Sequence, residues 1–109
     1  MVADTPVEMV YVNDGELVAV EGHIHDISPK AATLKTDQVL STGQCVILNF
    51  IMVNSDLLKA LNLEEPEEEA QIKFRVKAEI LEIKEVQGER YPLSAAVRFL
   101  GPFWISNLP

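Results

Sequence analysis

Hydrophobic and polar positions alternate along most of this chain, and alternation with a period of two is the signature of half-buried β-strands. From Leu17 onward, Val18, Val20, Gly22 and Ile24 fall on one side, and Ala19, Glu21, His23 and His25 on the other. This predicts a strand ending near Ile27. Ala32 to Thr36 reads as a second, short strand, and Ser41-Thr42-Gly43-Gln44 as a turn. Cys45 to Val53 is nearly all apolar, which predicts a strand in a central position. Ile72, Phe74, Val76, Ala78 and Ile80 alternate with Lys73, Arg75, Lys77 and Glu79 in a long strand. Leu81 and Ile83 then continue the apolar set one position out of phase, which predicts a bulge near Ile80-Leu81. Gln87-Gly88-Glu89 is the next turn and marks a hairpin. Leu93, Ala95, Val97 and Phe99 form the last clear strand before Gly101-Pro102 stops it, leaving Phe103-Trp104-Ile105 as an apolar tail.

Residues 55–71 break the pattern. Ser55 is a helix-capping residue, Asp56 suits a first helical turn, and Leu57, Leu58 and Leu61 recur at helical spacing. Glu64, Glu65, Glu67, Glu68 and Glu69 surround Pro66, and such a run repels itself and cannot pack, so it reads as a solvated loop. The expected organisation is one domain: an N-terminal segment over 1–15, a barrel over 16–101, a helix and acidic-loop insertion over 55–71, and a tail over 102–109. Five or six regularly punctuated strands predict an all-β fold with one short helix, a small antiparallel barrel or sandwich.

The 109 residues fit one domain, and an apolar share of 48% is enough for a core. Apolar runs are far shorter than the roughly 20 residues of a membrane helix, and the first residues carry no basic region followed by an apolar stretch. No membrane insertion and a cytoplasmic location are therefore expected. The lone cysteine, Cys45, fits a reducing compartment and reads as a small buried core residue. A net charge of −8 has the wrong sign for displacing counterions from a nucleic-acid backbone, so nucleic acid is not an expected partner.

Few residues suggest chemistry. His23 and His25 lie two apart, on the side opposite the apolar set, but a structural zinc needs four ligands and this chain has no other histidine. No metal site is expected. Nucleophile-elbow, phosphate-loop and zinc-protease patterns are missing, and the solvated acidic run does not make a tuned acid–base pair, so an enzyme is not expected. Lys73, Arg75 and Lys77 share one strand face, and Arg98 falls on a neighbouring strand. They either pair with nearby acids such as Glu79, Glu82 and Glu85 or form an anion or acidic-partner site. Leu57, Leu58, Leu61 and Leu63, and Phe103, Trp104 and Ile105, either fold over the barrel mouth or form partner surfaces.

The stretch Gly22-His-Ile-His-Asp-Ile-Ser-Pro-Lys-Ala-Ala-Thr-Leu-Lys-Thr is similar to the signature of the PilZ domain family, a strand running into Asp/Asn-x-Ser-x-x-Gly. Asp26, Ser28 and Ala31 occupy its three positions. Leu40 to Leu48 resembles the family's passage from leucine through glycine into an apolar strand. Val76 to Ile83 with Ala96 to Gly101 resembles its closing hairpin. The likeness spans about Leu17 to Gly101.

The resemblance implies a six-stranded antiparallel barrel in bacterial cyclic di-GMP signalling. In the family an Arg-x-x-x-Arg motif upstream of the barrel grips phosphate and guanine, because a guanidinium fork matches both. Here no Arg or Lys precedes Lys30, and Asp4, Glu8, Asp14, Glu16, Glu21 and Asp26 stand there instead. That segment repels a dianion. Ala31 replaces the signature glycine, which strains the turn if its φ is positive and narrows the approach otherwise. The expectation is a nucleotide-independent adaptor without a cofactor, binding a protein partner, with self-association also allowed. The alternative is a receptor for cyclic di-GMP or another anion, using Asp26, Ser28, Ala31, Arg75 and Arg98.

Overall fold

A computed structural model of the chain describes residues 2–38, 40–53, 71–86, 88 and 91–107. Its strands are β1 (Val2–Asn13), β2 (Glu16–Ile27), β3 (Ala31–Thr36), β4 (Cys45–Val53), β5 (Gln71–Glu85), β6 (Leu93–Phe99) and β7 (Trp104–Asn107). All pairings are antiparallel. The order β4-β1-β2-β3-β6-β5, with β4 also paired to β5, closes a six-stranded barrel. The described residues contain no helix. The expected helix, with Leu57, Leu58 and Leu61, and the acidic loop lie outside them. The insertion ends one residue earlier than expected, because Gln71 already belongs to β5.

The 1–15 segment proves to be a stave, not an appendage. β1 supplies the sixth strand, with Val7 and Met9 buried in the core. Pro6 disguises it in the sequence, since proline demotes a strand pattern. The pairing of β1 with β4 is confined to Glu8–Val10, and Pro6 lies beyond it.

The tail is likewise a strand. β6 covers β5 from Ala78 to Glu85, and β7 covers it from Ile72 to Arg75. Leu100 N–H still donates to the Lys77 carbonyl at 2.8 Å. β7 therefore continues the edge of β6 after an interruption at Gly101-Pro102. The interruption splits the expected apolar trio. Phe103 packs edge-on against Phe99 and Phe74, at ring-centroid distances of 4.9 and 6.2 Å, while Trp104 and Ile105 are exposed.

The core fills the barrel. Met9, Ile24, Leu34, Leu48, Phe74, Val76 and Ile80 are completely buried, each contributing about 1.5–3 kcal/mol. Phe50 stacks on Phe74 with centroids 5.4 Å apart. Buried Thr36 is satisfied, its Oγ1 accepting the Gln38 N–H at 3.0 Å. At Gly22 a Cβ would stand 2.7 Å from the Lys35 carbonyl oxygen and 3.0 Å from Met9 Cε, so only glycine lets β2 and β3 approach here.

Two strands depart from expectation in their faces. Among its described side chains β4 buries Val46, Leu48 and Phe50, while Cys45 and Ile51 are exposed. A closed single-layer barrel has an interior and a solvent side, so an all-apolar strand still alternates. In β5 the register shifts between Ile80 and Glu82, where the phase slip predicts a bulge. Leu81 is turned outward there, and Ile83 returns to partial burial.

Candidate functional site

Three surfaces carry the polar and aromatic residues singled out by the sequence. The first is the β2–β3 hairpin at Asp26–Ala31. A register shift between Ile24 and Asp26 places His25 at a bulge and turns Ile27 into the core. Pro29 cannot extend the ladder. Ser28 closes the turn instead, its N–H donating to the Ala31 carbonyl at 2.9 Å and its hydroxyl to the same oxygen at 3.2 Å. Lys30 offers its carbonyl to Phe99 N–H at 2.8 Å, tying the turn to β6. Ala31 is not among the residues with positive φ, so replacing the signature glycine costs no backbone strain here. The shallow cleft beside this turn, of about 260 Å³, is lined by Asp26, Ser28, Ala31 and Thr33 with apolar neighbours, and among the described residues no cation lines it.

Lys30 stands in the turn itself and is exposed, but it does not line the cleft; among the described arginines, Arg98 is the one whose register position lies beside the turn. It is the register partner of Ala31 on one side and of Glu79 on the other. Its Nε donates to Glu79 Oε1 at 2.7 Å, so its guanidinium is engaged away from the turn. Both side chains are at least partly open to water, and such a pair is worth little in stability. What it does is occupy the cation.

The second surface is the outer face of β5. Lys73, Arg75 and Lys77 are exposed and, among the described residues, form no ion pair. The expected pairing of these three with Glu79, Glu82 and Glu85 is not what forms. Glu79 takes Arg98 and Glu82 takes Lys84 at 3.7 Å. Arg98 is thus engaged on the β6 side of Glu79, four positions along β5 from Arg75. Arg75 instead neighbours Trp104, its register partner, in a groove of about 170 Å³ that Lys73 and Ile105 complete.

The third is a cleft of about 580 Å³ on the outside of β1, β2 and β4, lined among others by Glu8, Glu21, His23, Asn49, Lys73 and Tyr91. It opens where β1 and β4 part beyond Glu8. Asn49 Nδ2 donates to Glu8 Oε1 at 3.3 Å. His23 stacks on Tyr91 with centroids 6.1 Å apart and is half-buried, whereas His25 is exposed, so the bulge separates the two histidines. Among the described residues no group of three or more metal-ligating side chains forms.

Sequence reasoning missed an apolar surface. β3 pairs with β2 only from His23 onward and β4 with β1 only at Glu8–Val10, so the β1–β2 hairpin projects beyond the barrel as a two-stranded ribbon. Val12 and Leu17 face each other near its tip and are 65% and 76% exposed. The signal was Asp14-Gly15, a two-residue hairpin turn with φ of 51° and 80°. No protein-family model, curated protein or solved structure matches this chain.

Proposed function

We propose that this chain is a PilZ-like module of bacterial cyclic di-GMP signalling and motility pathways that acts in the cytoplasm as a nucleotide-independent adaptor, binding a protein partner and catalysing no reaction. The order of motifs from Gly22 to Gly101 supports the family reading, and so does the closed six-stranded antiparallel barrel that the resemblance implies. One observation carries the loss of nucleotide binding. Among the described residues, Arg98, the arginine in register beside the Asp26–Ser28 turn, is held by Glu79, and no arginine or lysine lines the cleft there, exposed Lys30 of the turn included. A dianion placed at that turn meets Asp26 without a compensating guanidinium. The exposed Trp104, 59% open to solvent, is the aromatic anchor for a partner.

The test is calorimetric titration with cyclic di-GMP at low salt. No saturable heat is expected, and a Kd of about 10 µM or tighter overturns the reading. A second reading, a receptor for an anionic ligand, is favoured by Lys73 and Arg75, which among the described residues form no ion pair, standing beside Trp104. The same titration decides between them: binding that Arg75→Ala abolishes establishes the receptor.

A further inference from the structure

Register places the outward side chains of β2, β1, β4, β5 and β7 in rows across the barrel. One row is Glu21, Glu8, Asn49, Arg75 and Trp104. The next toward the ribbon is Ala19, Val10, Ile47 and Lys77, and on the other side of the first Ile51 stands beside Lys73. The face is therefore divided lengthwise. Its β1–β2 flank carries Glu8 and Glu21 directly opposite each other, an arrangement that costs stability. Its β5 flank carries Lys73, Arg75 and Lys77, without ion pairs among the described residues. Between them β4 presents Cys45, Ile47, Asn49 and Ile51, apolar but for Asn49.

We infer that this face binds a second copy of the chain, in a two-fold dimer whose axis runs along β4. Rotation about that axis sets the β5 flank of one copy over the β1–β2 flank of the other. Arg75 then meets Glu8 of the second copy, with Lys73 and Lys77 on either side, and the contact is made twice. An axis across the strands would set Glu8 on Glu8 and Arg75 on Arg75, so like-charge repulsion excludes it. The chosen axis also stacks Ile47 and Ile51 on their own counterparts and brings the two Cys45 residues together. Self-complementarity of this kind accounts for Lys73, Arg75 and Lys77 standing without ion pairs among the described residues of a chain of net charge −8, for the adjacent Glu8 and Glu21, and for exposed Cys45 and Ile51 between them. The outer strands of a curved barrel fall away from such a contact, so the dimer is small and held by charge, and Trp104 stays accessible at its rim.

Sedimentation velocity of the unsubstituted chain at ~100 µM tests this, with a concentration-dependent dimer expected at low salt and dissociation near ~1 M salt. Lys73→Glu/Arg75→Glu/Lys77→Glu and Glu8→Lys/Glu21→Lys should each weaken self-association at least about tenfold, and their equimolar mixture should restore a dimer. A short bis-maleimide should join two unsubstituted chains through Cys45 at low salt and fail to do so at high salt. A chain that is monomeric at every concentration, folded variants that dimerise unchanged, or a mixture of folded variants that stays monomeric overturns the proposal. If circular dichroism finds a variant unfolded, the salt dependence of the Cys45 cross-link in the unsubstituted chain decides alone.

Discussion

Arg98 and Ala31 are register partners across β6 and β3, yet the Arg98 guanidinium turns to its other neighbour and bonds Glu79 at 2.7 Å. Proximity in the sheet therefore does not place this guanidinium at the Asp26–Ser28 turn. Because this pair is partly solvated, Glu79→Ala should change stability by no more than about 1 kcal/mol. Urea denaturation measures it. A loss of about 3 kcal/mol or more would mean that the pair holds the β5–β6 ladder together.

Gly22 should resist substitution far more than Gly101. A methyl group at Gly22 runs into the Lys35 carbonyl, a backbone atom that cannot move aside, whereas at Gly101 it meets open space. Gly22→Ala should cost about 1–3 kcal/mol and Gly101→Ala should stay within about 0.5 kcal/mol. Equal midpoints in urea for the two variants would contradict the close approach of β2 and β3.

The aromatic cluster should be graded by burial. Phe74 is fully buried and touched by Phe50 and Phe103, so Phe74→Ala should cost about 3–5 kcal/mol. Phe103 is only half-buried, and Phe103→Ala should cost about 1–2 kcal/mol. Thermal unfolding of both variants tests the order, and a larger loss at Phe103 would place the centre of the core elsewhere.

Cys45 should behave as a surface thiol. It is exposed on the outer side of β4. In dilute native protein a colorimetric disulfide reagent should titrate one thiol per chain without denaturant. A thiol that reacts only after unfolding would mean that Cys45 points into the barrel.

Much of the barrel was legible because alternation is a local property. β2, β3, β4, β5 and β6 follow from it, and so does the bulge after Ile80, where Leu81 and Ile83 shift phase. β1 was hidden by Pro6 and by acids between its apolar residues, although Asp14-Gly15 announced its hairpin. β7, four residues long, is too short to display a period. The candidate site was less legible. Asp26 and Ser28 stand out as a turn motif, but whether Arg98 serves that turn depends on Glu79, nineteen residues away in the chain. Cys45 was misjudged for a related reason: an apolar run does not reveal which of its alternate residues face out.

The order of amino acids by itself determined which segments extend, where β5 buckles and where turns interrupt, because backbone and side-chain preferences act over a few neighbouring residues. Only the tertiary structure decided which strands meet. Closure of β4 onto both β1 and β5 sets Glu8, Asn49 and Arg75 in one row and gives Arg98 to Glu79. Cross-strand register is a long-range property, set by how six staves share one core, and the charges on the barrel's outer wall inherit their neighbours from it.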